Sequence, residues 1–254
     1  MNNILDSFSL AGKKALIVCP ENPYGAEIAA GLAAAGAEIF VAGNYPVDLG
    51  TPIADSFEYT HGSAESSAKL ADEVRAKMGR LDIVIENGLY TSVKGWKQNF
   101  AEIHSQLEKT ELGLMLTVQS LGRILAEQGS GSVILVADYG ALVGYDPVNY
   151  AACPDEKDMD FSFVKGFISG GVVNYARQAS NYLAENGCRC NAVALAPLEG
   201  SCSEEFKTAF TRHNQTKRLA SAKDIAAAVI FLASDASSFI TGVTLPVDGG
   251  YTAK

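Results

Sequence analysis

The chain has 254 residues, of which 48% are hydrophobic and 19% are charged. This composition excludes a largely disordered chain and suits one large domain or two small ones. The net charge of −9 argues against nucleic acid and anionic membrane surfaces as partners, and we interpret it as a solvated surface that aids solubility.

Short apolar runs alternate with longer amphipathic runs along the chain. The apolar runs predict strands at 15–18, 38–41, 81–85, 132–136, 189–194 and 243–247. The amphipathic runs predict helices at 27–35, 68–78, 100–128, 164–185 and 222–233. Strands this apolar imply a parallel sheet with helices on both faces, and right-handed crossovers then give a doubly wound, Rossmann-type α/β fold of about seven strands. No linker or repeat divides the sequence, so we expect one domain over residues 1–254.

Five cysteines at irregular spacing do not match a disulfide framework. Cys188 and Cys190 have no second Cys or His pair nearby to complete a zinc site, so we interpret them as buried structural cysteines and expect no metal. No apolar stretch is long enough to span a bilayer, and the N-terminal residues lack a signal-peptide pattern. We therefore expect a cytoplasmic protein.

The last third of the chain carries the most specific motifs. They are Lys217-Arg218-Leu219, Phe231-Leu232-Ala233-Ser234-Asp235, Phe239-Ile240-Thr241-Gly242 and Val247-Asp248-Gly249-Gly250. Together with Leu81-Asp82-Ile83-Val84 and Asn191-Ala192-Val193-Ala194, they make the chain resemble the short-chain dehydrogenase/reductase family over nearly its whole length. The resemblance implies a Rossmann-type fold, and the C-terminal motifs imply a sheet edge, a turn and a subunit contact surface.

In that family the first strand ends in a loop, Thr-Gly-x-x-x-Gly-x-Gly, whose backbone amides hold the dinucleotide pyrophosphate. Residues 18–25 of this chain read Val-Cys-Pro-Glu-Asn-Pro-Tyr-Gly, so only Gly25 remains. Pro20 and Pro23 have no N–H to donate. Cys19 brings a Cβ where the family has glycine, and Glu21 adds negative charge beside the place for two phosphates. The loop therefore favours a plain helix start, with Pro23 at an early helical position and Gly25 allowing close helix–strand packing, over a phosphate site.

Other dinucleotide positions of the family are changed as well. The second strand is followed by Gly43-Asn44, with neither the acid that holds the ribose hydroxyls of NAD nor an arginine for the phosphate of NADP. His61 falls where the family has an adenine-contacting Asp, and Glu86 precedes Asn87 in the turn after the next strand. Leu195-Ala196 stands in place of the usual Pro-Gly. We therefore expect this chain to bind no cofactor.

The catalytic positions of the family are replaced too. The family's Ser falls on Ala137 and its Asn on Thr110, and the helical Tyr-x-x-x-Lys pair falls on Lys165 and Ser169. In the family, the lysine lowers the pKa of the tyrosine, which passes a proton to the substrate oxygen. An alanine donates no hydrogen bond, and all four relay members are changed, so we expect no catalytic residues here.

Tyr150 leaves a second interpretation open, that of a divergent but active enzyme. With Lys157 it matches the Tyr-x6-Lys spacing of enoyl reductases in the same superfamily. Pro154 disfavours a continuous helix between them, and Lys157 comes too early for the register of the following strand. Residues 145–163 therefore form a predicted insertion, either a solvated loop or one that covers the cleft or contacts a partner. In this alternative, Tyr150, or Lys165 with a pKa lowered by burial, would act in an NAD(P)-dependent oxidoreductase.

The assembly elements of the family are intact while its cofactor and catalytic positions are changed together. Family members form dimers and tetramers by pairing two long helices and packing the C-terminal strand, which implies contact surfaces at 100–128, 164–185 and 222–250. Small residues at Ser169-Gly170-Gly171 allow close helix approach. We expect a hetero-oligomer, a tetramer, in which an active family member binds NAD and this chain supplies architecture.

Overall fold

The computed structural model of the chain describes residues 3–44, 47–88, 99–153 and 163–253. Seven strands form one sheet in the order β3-β2-β1-β4-β5-β6-β7, and every neighbouring pair is parallel. The strands are β1 (Lys14–Val18), β2 (Glu38–Gly43), β3 (Asp55–Glu58), β4 (Ile83–Glu86), β5 (Gly131–Asp138), β6 (Cys188–Leu195) and β7 (Thr244–Val247). The order reverses between β1 and β4, which confirms the doubly wound α/β fold.

Seven α-helices of the described residues cover the two faces of this sheet. They are α1 (Gly25–Ala34), α2 (Ala64–Met78), α3 (Phe100–Leu107), α4 (Gly113–Gln128), α5 (Phe163–Glu185), α6 (Glu204–His213) and α7 (Ala222–Ala233). One core packs against α2, α4 and α5, and the other against α1, α6 and α7. Strand β1 contributes side chains to both cores. Leu16 and Val18 lie in the first core, and Ala15 and Ile17 lie in the second. The carboxyl ends of β1, β2, β4 and β5 therefore meet along one edge between the two layers.

The long helix predicted at 100–128 is interrupted. Helix α3 ends at Leu107, and Glu108–Leu112 winds as a π-helix before α4 begins at Gly113. Side chains bond the backbone at this wider turn: Thr110 Oγ1 donates to the carbonyl of Gln106 at 2.6 Å. Such π segments are common at functional sites of helices, and this one faces the end of β4.

Strand β3 and helix α6 were not predicted. Only Phe57 of β3 is buried, so its sequence offers no apolar run. In α6, the N-cap Ser203 accepts from the amide of Phe206, and Phe206 and Phe210 are buried one turn apart.

Cys188 and Cys190 are buried in the core, as predicted. The described helices include none long and apolar enough to cross a membrane, and His, Cys, Asp and Glu side chains of the described ranges form no group of three suited to a metal ion.

The described part of the predicted insertion, residues 145–153, has both exposed and buried positions. Within 145–153, Asn149 and Cys153 are buried, and Asn149 Nδ2 donates to the hydroxyl of Tyr251 at 2.8 Å. The remainder, with Pro154 and Lys157, lies outside the described residues.

Candidate functional site

The loop from β1 to α1 is closed by bonds to its own backbone. The amides of Asn22 and Gly25 donate to the carbonyls of Cys19 and Asn22, each at 3.2 Å. From the end of β4, Asn87 Nδ2 donates to the carbonyls of Cys19 and Pro23 at 3.2 and 3.1 Å. In return, Asn22 Nδ2 donates to the carbonyl of Asn87 at 2.8 Å. The backbone amides of Asn22 and Gly25 are therefore already hydrogen-bonded within the protein and are not available to a phosphate.

Left-handed backbone at non-glycine residues shapes the same loop. Cys19 has φ of 54° and Tyr24 has φ of 74°, a region that favours glycine. Tyr24 is held by a hydrogen bond of 3.1 Å from its hydroxyl to the carbonyl of Ala196. Helix α1 begins at Gly25, so Pro23 lies before the helix, and the predicted early helical position was wrong. Gly25 is needed because a Cβ there would collide with the carbonyl oxygen of Pro20, a contact within the loop rather than with a strand.

The carboxylate of Glu21 lies over the end of β2. Its Oε2 is 2.7 Å from the position that a Cβ on Gly43 would take, and the ring of Pro20 is 3.2 Å from the same point. Gly43 and Asn44 supply no acid of their own, as the sequence indicates. A negative charge nevertheless reaches this strand end from the neighbouring loop.

His61 follows β3 and fills the space between two glycines. A Cβ on either Gly88 or Gly113 would collide with its imidazole. Nε2 of His61 lies 2.9 Å from Glu86 Oε1, and Nδ1 contacts the carbonyl oxygen of Lys109 in the π segment. The residue at the family's adenine-contacting position is therefore buried in an ion pair with Glu86 of the next strand.

The partners of His61 fix its charge. A carbonyl can only accept, so Nδ1 carries a proton, and Glu86 Oε1 also accepts from the amide of Gly88 at 2.8 Å. Both ring nitrogens thus face acceptors, as an imidazolium requires. Burial by itself would lower the pKa of His61, but the charge and hydrogen bond of Glu86 and the Lys109 carbonyl outweigh it and raise that pKa.

An ion pair occupies the expected catalytic region at the end of β5. Ala137 is buried in the core that packs against α2, α4 and α5. Asp138, the next residue of β5, faces the opposite side of the sheet because side chains alternate along a strand. Asp138 Oδ2 lies 2.7 Å from Lys165 Nζ and accepts from the hydroxyl of Tyr145 at 2.5 Å. The ammonium also lies 5.2 Å from the centre of the Tyr145 ring. Burial and the charge of Asp138 raise the pKa of Tyr145, so that phenol stays neutral.

Sequence reasoning missed Asp138 and Tyr145. Strand alternation was the available signal for Asp138, because it is the first residue after Ala137 to face the opposite side. Ser169, at the family's lysine position, is completely buried, and its hydroxyl has no hydrogen-bond partner among the described residues. Thr110, at the asparagine position, is also buried and bonds its own helix.

Tyr150 belongs to an aromatic cluster, and Lys157, its partner in the Tyr-x6-Lys spacing, lies outside the described residues. Its ring packs 5.2 Å from that of Phe206 in α6, and its hydroxyl lies 3.4 Å from the hydroxyl of Tyr139. Tyr139 in turn packs edge-on against Tyr145, Phe210 and Tyr251. These rings join residues 139–150, α6 and the C-terminal turn into one apolar body beside the carboxyl ends of β5 and β6.

The chain is similar in sequence to known dehydrogenases. D-threitol dehydrogenase of Mycolicibacterium smegmatis is 28% identical, over 97% of this chain and 95% of that protein. Cis-4-hydroxycyclohexanecarboxylate dehydrogenase of Sinomonas cyclohexanicum is 30% identical, over 74% of this chain and 73% of that protein.

Solved structures share the fold. A short-chain dehydrogenase from Leptospira borgpetersenii with bound NAD+ gives a TM-score of 0.86 at 19% identity, covering 99% of this chain and 96% of that one. A gluconate 5-dehydrogenase from Burkholderia cenocepacia in complex with NADP and tartrate gives 0.84 at 21% identity, covering 99% and 100%. Residues 21–252 match the family model described as enoyl-(acyl carrier protein) reductase. The chain therefore belongs to the short-chain dehydrogenase/reductase family.

Proposed function

We propose that this chain is a non-catalytic short-chain dehydrogenase/reductase subunit that assembles with an active family member in an NAD-dependent dehydrogenase. The β1–α1 loop carries the proposal. A pyrophosphate needs backbone N–H groups that are free and a loop without negative charge. Here the amides of Asn22 and Gly25 are paired, two prolines supply none, and the Glu21 carboxylate covers Gly43. The residues present do not fit a bound dinucleotide.

The end of β5 supports the same proposal. A dehydrogenase of this family needs a hydroxyl group that exchanges a proton with the substrate oxygen. Lys165 and Asp138 instead neutralise each other at 2.7 Å, and Tyr145 donates its only proton to Asp138. Ser169 is buried, and its hydroxyl has no hydrogen-bond partner within the part of the chain that the structure describes. These side chains are paired with one another or buried, so none of them presents an ionisable hydroxyl to a ligand.

The proposed partner is an active subunit that binds NAD and oxidises a hydroxyacyl-CoA. The combination of a degenerate and an active subunit resembles the two-component dehydrogenase that oxidises 2-[hydroxy(phenyl)methyl]succinyl-CoA in anaerobic toluene breakdown. Exposed aromatic side chains on the expected contact elements favour such an assembly: Phe100 is 81% exposed, Phe167 is 71% exposed, and Phe239 is fully exposed. The contact surfaces would be residues 100–128, 164–185 and 222–250, and the assembly a tetramer.

Calorimetry tests the proposal directly. The isolated chain is titrated with NAD+, NADH, NADP+ and NADPH, and no saturable heat is expected from any of them. The chain is then co-expressed with an active family member from a neighbouring gene, and any complex that forms is titrated in the same way. We expect one NAD(H) site per active subunit, and micromolar binding by the isolated chain would overturn the proposal.

Glu21 favours one alternative, a divergent NAD-dependent oxidoreductase that uses Tyr150 or Lys165. An acid at the end of the second strand is the group that holds the adenosine ribose hydroxyls, and the Glu21 carboxylate lies at that strand end. In this case Glu21→Gln would weaken NAD(H) binding at least tenfold, whereas Glu65→Gln, which removes the same charge from an exposed position on α2, would leave it unchanged. Turnover would then be lost in Tyr150→Phe or Lys165→Ala.

A further inference from the structure

A small cavity lies between the end of β4, the π segment and α5. Its volume of about 10 Å³ corresponds to about one water molecule. Glu86 and Gly88 form the wall at the strand end, and Thr110 and Glu111 form the wall at the π segment. The remaining wall is apolar and consists of Leu114, Val136, Ile168 and Val172.

Two of the residues that line this cavity each have one buried carboxylate oxygen without a partner among the described residues. Glu86 Oε2 and Glu111 Oε1 have no hydrogen-bond partner among the described residues. Glu86 is only 3% exposed, and its other oxygen is committed to His61 and Gly88. A buried acceptor left without a donor costs about 1–3 kcal/mol, and more when it is charged. Two such oxygens on one cavity call for a donor.

The protein itself offers no donor at this place within the described residues. The hydroxyl proton of Thr110 goes to the carbonyl of Gln106 at 2.6 Å, and the amide of Gly88 goes to Glu86 Oε1 at 2.8 Å. The four apolar side chains have nothing to donate. The cavity has room for a donor of the size of one water molecule, which has two protons to give.

We propose that this cavity binds a single structural water molecule, which donates one hydrogen bond to Glu86 Oε2 and the other to Glu111 Oε1. A neutral donor suits the charge, because the His61 imidazolium already balances Glu86. The water ties strand β4 to the π segment and connects the buried His61–Glu86 pair to Glu111, which is partly exposed. Burial raises the pKa of Glu111, in keeping with a carboxylate that has lost part of its hydration.

Water-to-methyl nuclear Overhauser spectroscopy on protein with labelled Leu, Val and Ile methyls tests the site. Cross-peaks at the water frequency are expected for Leu114, Val136, Ile168 and Val172, and none for Leu70, which is buried elsewhere in the core. Among the described lining residues, Thr110 has the only hydroxyl that could mimic a water signal; Thr110→Val removes it, and the cross-peaks are expected to persist.

Glu111 supplies the matched pair of variants. Glu111→Gln keeps an oxygen that accepts from the water, so the cross-peaks remain. Glu111→Leu removes that acceptor and fills space, so they disappear. Absence of the cross-peaks in the wild-type chain, or their persistence in Glu111→Leu, would overturn the water site.

A cation would be recognised by a separate measurement. Unfolding midpoints in sodium, ammonium and choline chloride at equal ionic strength are expected to agree, because the bound molecule is neutral. A saturable rise in sodium or ammonium that vanishes in Glu111→Gln would replace the water with a cation and so overturn the proposal. Neither readout depends on whether the chain binds NAD or a partner.

Discussion

His61 Nε2 and Glu86 Oε1 lie 2.9 Å apart, and the two side chains are 1% and 2% exposed. They join the ends of β3 and β4, two strands that are separated in the sheet by β2 and β1. Gly88 and Gly113 leave room for the imidazole because they carry no side chain. This chain thus places an internal ion pair where its family places a contact to the adenine of a dinucleotide.

The pH dependence of stability follows from this pair. The pKa of His61 is raised in the folded protein above the usual value of about 6.5, which the unfolded chain has. The stabilisation is therefore fully present below about pH 6.5 and is lost as the pH rises through the folded pKa. We expect the free energy of unfolding in urea to fall over that window.

Two variants separate His61 from other titrating groups. His61→Gln is expected to lower the free energy of unfolding at pH 6 by about 3–5 kcal/mol, because it leaves the Glu86 charge buried without its partner. It also removes the fall above pH 6.5. His104→Gln changes an imidazole whose side chain is 64% exposed and should leave both the stability and its pH profile close to wild type. An unchanged profile in His61→Gln would show that the protonation of His61 does not contribute to the pH dependence of stability.

The Lys165–Asp138 ion pair is expected to be structural. Lys165→Met and Asp138→Asn each remove one partner of a contact in which Asp138 is buried. In a double-mutant cycle by urea unfolding, the two substitutions should be coupled by about 0.5–3 kcal/mol. Strictly additive effects would mean that the pair contributes nothing, and Lys165 would again be a candidate for catalysis.

The sequence predicts the layers of this fold well because apolar runs and helical periodicity report burial directly. Six of the seven strands carry such runs, whereas β3 has only Phe57 facing the core. The break of the long helix at Glu108–Leu112 leaves no comparable trace. Its helical residues keep their periodicity, and the π-turn contacts His61, which is distant in sequence.

For the site, the sequence indicates which positions have changed but not what replaces them. His61 and Glu86 are each recognisable as departures from the family pattern, yet their pairing depends on two glycines that bring distant elements together. Likewise, Ala137 marks a missing hydroxyl, while the partner of Lys165 is its neighbour Asp138. Packing between elements that are distant in the sequence determines these pairs. Only Asp138 could have been found from the sequence, because side chains alternate along β5.

Gly25 is expected to be indispensable to the closed β1–α1 loop. A Cβ at this position would collide with the backbone of Pro20, which cannot move away as a flexible side chain would. Gly25→Ala should lower the free energy of unfolding by about 3 kcal/mol or more. Gly144→Ala is the control, since nothing lies within 4 Å of its added Cβ, and it should stay within about 0.5 kcal/mol of wild type. Equal stability of the two variants in urea would show that the loop relaxes freely.

Phe167 offers a test of the proposed assembly that is independent of the cofactor. It is 71% exposed on α5, so Phe167→Ser should change the stability of the isolated chain by no more than about 0.5 kcal/mol. Aromatic side chains at the centre of an interface commonly contribute 2 kcal/mol or more, so affinity for the active subunit should fall at least tenfold. Leu5→Ser is matched in exposure, at 68%, but lies outside the proposed contact surfaces and should leave the affinity unchanged. Equal affinities of the two variants in surface plasmon resonance would exclude the α5 face as the contact, whereas a loss in Phe167→Ser alone would place the partner on it.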